Sequence, residues 1–127
     1  METIKFTPIY KPTLWGGEAW LISAVKGSES IAEGGALAGK TLPQILEEHK
    51  DELLGKGPWQ KCGTTFPLLI KFIDARQDLS IQVHPNDEMA QRLHGKFGKS
   101  EMWYVIDAKP GSFLYAGFKD KITPYEY

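Results

Sequence analysis

Three side chains able to hold a metal ion fall in two short stretches. In "LSIQVHPND", residues 79–87, Gln82 and His84 alternate with the apolar Ile81 and Val83; in "FGKSEMWYV", residues 97–105, Glu101 follows Lys99. Alternate residues of a strand share a face, so a strand here puts Ser80, Gln82 and His84 on one side. A neutral imidazole is a common metal ligand, and amide or carboxylate oxygens can join it. If the strand opened by Glu101 lies near "SIQVH", its carboxylate can meet Gln82 and His84. That nitrogen–oxygen set suits Zn²⁺ or another divalent first-row ion with positions left open for substrate. Lys99 would project toward the same mouth. Two readings are open from the pattern alone. A polar triplet facing into a barrel is costly unless it binds something, whereas the same triplet on a solvated face does nothing. Lys71, inside the apolar "LLIKFID", likewise either snorkels at a sheet edge or presents its ammonium to an anionic ligand. His49 and His94 sit in helical patterns with polar neighbours and read as surface residues.

The "GKS" of residues 98–100 also matches the tail of a phosphate-binding P-loop. That motif needs an earlier glycine, a preceding strand and a following helix. Leu93 occupies the earlier glycine's position, a helical pattern precedes the loop and "EMWYVI" follows it as a strand pattern. No helix N-terminus is available to cradle phosphates. The nucleotide reading fails.

Elements must position these residues. The clearest helix is "TLPQILEEHKDELLGKG", where Thr41 caps, Gln44 completes a capping box and Pro43 is tolerated in the first turn. Leu42, Ile45, Leu46, Leu53 and Leu54 form its apolar face, and Gly55 or Gly57 ends it. "NDEMAQRLHG" predicts a second, shorter helix capped by Asn86 and closed by Gly95. The N-terminal region predicts short β segments, "IKFTPIY", "TLWGG" and "EAWLISAV". Later strands are expected in "FPLLIKFIDA", "DLSIQVH", "EMWYVIDA" and "GSFLYAGF", the last two joined as a hairpin through "KPG". Strands dominate, with two short helices as decorations, which favours an all-β barrel or sandwich over a parallel α/β sheet.

The chain has 127 residues, 42% hydrophobic and 24% charged, with a formal net charge of -1. It fits one ordinary globular domain, without the basic footprint that nucleic acid demands. Its single cysteine, Cys62, excludes an intrachain disulfide and a cysteine-based zinc site. There is no signal-peptide h-region and no apolar run of membrane-spanning length, so a cytoplasmic protein with no membrane partner is expected.

Several stretches together resemble type I mannose-6-phosphate isomerase (phosphomannose isomerase) in its shorter bacterial form: "KPTLWGG", "SAVKGSES", "LAGKTL", "FPLLIKFIDARQDLSIQVHPND", "GKSEMWY" and "LYAGFK". The resemblance runs nearly end to end and is most specific from Phe66 to Tyr104. It implies one cupin-type domain over residues 1–127, a jelly-roll β-barrel left incomplete in this length of chain. It implies one zinc ion and interconversion of mannose 6-phosphate and fructose 6-phosphate through a cis-enediol. By position, His84 and Glu101 resemble the family's zinc ligands and Gln82 a ligand of its longer members. Lys99 resembles a lysine beside the metal in an acid–base or substrate-contacting role, and Lys71 and Ser80 match positions near the substrate. Family members are more than twice as long, and nothing here matches their further histidine ligand or catalytic arginine. The segment between "WGG" and "EAWLIS" is contracted. The resemblance is therefore compatible with an isomerase or with a non-catalytic metal- or sugar-phosphate-binding module, and with a homodimer that buries an open barrel edge.

Overall fold

A computed structural model describes residues 3–123 of the chain. By its contacts the chain divides into two compact units, Met1–Leu79 and Ser80–Tyr127.

The first unit is built on a three-stranded antiparallel sheet in the order β1–β2–β5, with β1 at Ile9–Thr13, β2 at Gly16–Ile22 and β5 at Ile70–Ala75. Only Leu14 and Trp15 separate β1 from β2, because Thr13 pairs with Gly16; the point between "WGG" and "EAWLIS" read as contracted falls inside β2, where Gly17 and Glu18 are consecutive strand residues. Gly16 adopts φ +143, and a Cβ there would lie 2.0 Å from the carbonyl oxygen of Asp74. Glycine is therefore required where the hairpin meets β5. The Trp15 carbonyl accepts hydrogen bonds from the amides of Arg76 and Gln77, which fastens the end of β5 to the same turn.

A short ribbon pairs β3 (Ala24–Val25) with β4 (Ser28–Glu29). Buried Ser23 and Ser30 hold its base: the Ser23 amide donates to Ser30 Oγ at 2.9 Å and the Ser30 amide to the Ser23 carbonyl at 2.8 Å. Helix α1, Leu42–Leu54, starts as its sequence predicts. Thr41 caps the Gln44 amide and Gln44 reaches back to the Thr41 amide. Leu42, Ile45 and Leu46 are buried with Ala32 and form the core of the unit, while Leu53 and Leu54 are half-buried beyond a break at Lys50 (φ 48, ψ -119).

A further helix, α2, runs over Lys56–Cys62 where the sequence reading ends the helical stretch at glycine. Gly57 and Pro58 fall in its first turn, where proline's missing N–H costs nothing. The two expected helices become three α-helices among the described residues, with a 3-10 turn at Gly35–Leu37 besides.

The second unit contains helix α3, Asp87–His94. It begins at the expected cap, with the Met89 amide donating to Asn86 Oδ1 at 2.9 Å, and ends on left-handed Gly95. The strands expected in "DLSIQVH", "EMWYVIDA" and "GSFLYAGF" do not form, and no strand follows Ala75 among the described residues. The turn at "KPG" does form: the Ser112 amide donates to the Lys109 carbonyl at 3.0 Å and Gly111 has φ +86. Turn chemistry is local, but a strand exists only where its N–H and C=O groups find a neighbour. The alternating residues stay unladdered, and Ile81, Met102, Tyr104 and Phe113 are exposed. A closed barrel is not formed among the described residues, which carry one three-stranded and one two-stranded sheet. No described helix is long and apolar enough to cross a membrane.

Candidate functional site

The second unit brings His84, Glu101 and Lys99 together. Pro85 and the Asn86 cap end the segment that carries His84. Past α3, the chain turns at Gly95 and returns through Gly98 to Glu101, whose Oε2 accepts from His84 Nε2 at 3.1 Å. The other carboxylate oxygen, Oε1, lies 2.6 Å from Lys99 Nζ. Each oxygen of Glu101 thus has its own partner. The Lys99 ammonium, first by its hydrogen bond and then by its charge, holds the Glu101 carboxyl below its ordinary value; the His84 contact adds to this and partial burial opposes it.

Ser80 and Gln82 are exposed and take no part in this cluster. The shared face expected for Ser80, Gln82 and His84 depends on a strand, and no ladder fixes one there. Gln82 is therefore not brought together with the other two donors.

Lys71 lies in the first unit. On one face of the sheet, Trp20 stands opposite Lys71 and Glu18 opposite Lys11. Glu18, only 9% exposed, accepts from Lys71 Nζ at 2.8 Å and from Trp20 Nε1 at 2.7 Å. The Lys11 ammonium sits 5.0 Å from the centroid of the Trp20 ring and donates to Ser28 Oγ at 2.7 Å. At the hairpin end, Thr13 Oγ1 and Trp15 Nε1 are buried without a hydrogen-bond partner. Lys71 therefore has a carboxylate partner within the protein, an arrangement outside both sequence readings. Sequence reasoning missed Glu18. Its signal was the alternation in "GGEAWLI", which places Glu18 and Trp20 on one face. The register that brings them to Lys71 is set by strand pairing across a long stretch of chain.

The spacing of the second-unit cluster suits a divalent ion. Two donors each ~2.0–2.1 Å from one ion, at a tetrahedral or octahedral angle, lie about 3 Å apart. The 3.1 Å between His84 Nε2 and Glu101 Oε2 meets that condition. The pair fits two positions of such a site, with Lys99 on the outer oxygen of the ligating carboxylate. Among the described residues, no group of three or more histidine, cysteine, aspartate and glutamate side chains is placed to hold a metal.

Residues 7–111 match the family described as phosphomannose isomerase type I, catalytic domain. The mannose-6-phosphate isomerase ManA of Bacillus subtilis is 37% identical over an alignment covering 96% of this chain and 44% of that protein. The mannose-6-phosphate isomerase of Streptococcus mutans is 38% identical, covering 87% of this chain and 33% of its own length. The crystal structure of a mannose 6-phosphate isomerase from Bacillus subtilis superimposes with a TM-score of 0.75 at 35% identity, over 86% of this chain and 39% of that one. The chain thus spans well under half the length of these relatives.

Proposed function

The chain belongs to the type I phosphomannose isomerase family, and from that premise we propose that it takes part in interconverting mannose 6-phosphate and fructose 6-phosphate through a zinc-dependent site. The observation that carries the proposal is the His84–Glu101 pair at 3.1 Å, with Lys99 on the same carboxylate, inside the matched region. The fold that goes with this reading is the family's cupin-type barrel, to which this chain contributes part.

Aldose–ketose isomerisation moves a proton between C1 and C2 through a cis-enediol, so negative charge develops on the substrate oxygens. A zinc ion at His84 and Glu101 would supply electrostatic stabilisation of that charge. His84 Nε2, 3.1 Å from Glu101 Oε2, would bind the ion through its unprotonated nitrogen. Lys99 Nζ, held beside the pair by Glu101 Oε1, is the group we assign to proton transfer or to contact with a substrate oxygen. Lys71, whose Nζ is held by Glu18 Oε1 at 2.8 Å, is the cation we assign near the substrate's anionic group, which would have to compete with that carboxylate. Ser80 is an exposed hydroxyl open to the same use, and Gln82 a further oxygen donor once its segment is paired.

The test couples fructose 6-phosphate formation from mannose 6-phosphate to zinc analysis of the purified chain. Zinc bound near one equivalent with turnover supports the reading. A folded, zinc-loaded protein with neither turnover nor thermal stabilisation by mannose 6-phosphate overturns it. A second reading, a binding module without turnover, is favoured by the lack of a third acidic or histidine ligand among the described residues. It predicts stabilisation by zinc or mannose 6-phosphate while activity stays at background.

A further inference from the structure

We propose that Asp87 and Gly98 are positioning residues that clamp the loop bearing Lys99 and Glu101 onto the start of helix α3, and so set the reach of Glu101 to His84. The inference rests on the reading of His84 and Glu101 as metal ligands. The two residues sit on opposite sides of an eight-residue helix, so the chain must travel back about 12 Å to bring them together. No strand pairing guides that return, since residues 95–101 belong to no ladder.

Three contacts do guide it. The Gly98 amide donates to Asp87 Oδ1 at 2.9 Å, and the Lys99 amide donates to the Pro85 carbonyl at 3.2 Å. Gly98 also lies directly on the backbone between Pro85 and Asp87. A Cβ at residue 98 would stand 2.5 Å from the Asn86 carbonyl carbon and 2.6 Å from both the Asp87 nitrogen and the Pro85 oxygen. Those are backbone atoms, which cannot swing aside as a flexible side chain would, so any side chain at residue 98 lifts the loop. The anchors on one side, Pro85 and Asp87, closely follow His84; those on the other, Gly98 and Lys99, closely precede Glu101. Displacement of the clamp is therefore passed almost directly to the 3.1 Å pair.

A simpler role for Asp87 is that of an acid favoured by the positive end of α3. Asn86 already caps the helix through the Met89 amide, which leaves the Asp87 carboxylate available to the loop. The two roles separate under substitution. Asp87→Asn removes the charge and keeps an oxygen that can accept from Gly98; Asp87→Ala removes both.

The experiment measures Zn²⁺ affinity of the full chain by competition with a chromogenic chelator. In the metal-free protein it also records contacts between the His84 ring and the Glu101 side chain by NMR. A clamp predicts that Asp87→Ala and Gly98→Ala each weaken zinc binding about tenfold or more and lose the His84–Glu101 contact, while Asp87→Asn keeps both. His84→Ala serves as the control for the ligand reading. If it loses zinc while Asp87→Ala binds as tightly as the native chain, the clamp is wrong and the ligand assignment stands. If His84→Ala binds zinc unchanged, the ligand assignment falls and takes with it the purpose given to the clamp. An Asp87→Asn variant that behaves like Asp87→Ala assigns the effect to charge and overturns the clamp. Should Gly98→Ala fail to fold, the two Asp87 variants still decide the matter.

Discussion

The two units use the same kinds of residue to opposite effect. In Met1–Leu79, alternating strands find partners: β2 pairs on both edges, and a face carrying Lys11, Glu18, Trp20 and Lys71 is half-buried. In the second unit, "EMWYVIDA" and "GSFLYAGF" have equally strong strand composition and form no strand, with Met102 92% and Tyr104 85% exposed. Composition makes a segment able to be a strand; a neighbour makes it one. The candidate metal pair stands in the less supported unit, which is why its geometry falls to a turn and a helix cap.

The largest expected effects break this contrast at the core. Leu46→Ala removes a fully buried side chain of the first unit and is expected to cost ~2–5 kcal/mol in urea unfolding followed by circular dichroism. Trp103→Ala, at a residue half exposed in the second unit, is expected to change stability by no more than ~0.5 kcal/mol. Hydrogen exchange sharpens the same point, with slow amides in Gly16–Ile22 and Ile70–Ala75 and fast ones in residues 102–107. A Trp103→Ala penalty matching that of Leu46→Ala would show that the second unit has a core of its own.

A smaller effect is expected at the buried ion pair. Lys71→Met removes the ammonium that donates to the Glu18 carboxylate, 9% exposed, and leaves its Trp20 contact; it is expected to cost about 1–3 kcal/mol. Adding Glu18→Gln to Lys71→Met should recover part of that loss, because the buried charge is gone. Additive losses in the double variant would mean that the two residues act independently.

Helix caps allow one chemistry to be compared in both units. Thr41→Ala and Asn86→Ala each remove a side-chain acceptor at a helix start, and each is expected to cost roughly 1 kcal/mol of local helix stability. In the first unit the loss should appear in global unfolding, since α1 carries the core. In the second it should appear only as faster exchange in α3. Equal effects on global unfolding would remove the distinction.

What could be read from the sequence follows the range of the forces involved. Both capping motifs, the end of α3 at Gly95 and the turn at "KPG" are set by neighbours a few residues apart, and each is found where the sequence places it. The sequence pairs His84 with Glu101 through neighbouring strands, whereas the structure joins them without strands, through the loop that follows α3. Glu18 could not be matched to Lys71, since only the β2–β5 register brings them together. The strand faces expected for Ser80 and Gln82 rest on a ladder that the described residues do not supply. Helix α2 was hidden by reading Gly55 or Gly57 as an end, when Gly57 and Pro58 also suit a beginning.

The smallest effect concerns charge at the candidate site. Lys99 holds the Glu101 carboxyl below its ordinary value of 4.5. A depressed carboxyl contributes stability that is fully present above its unfolded value and is lost as pH falls through the lowered one. Glu101 is a third exposed and in contact with solvent, so this contribution is screened and its effect on global stability is expected to be slight. Its titration is the better readout. Lys99→Met should move the Glu101 midpoint upward toward 4.5, followed by carbon NMR of the side-chain carboxyl without metal. His84→Ala should move it in the same direction by less, since the imidazole contact ranks behind the ammonium. A larger shift from His84→Ala would reverse that order, making the imidazole rather than the ammonium the principal partner of the carboxylate.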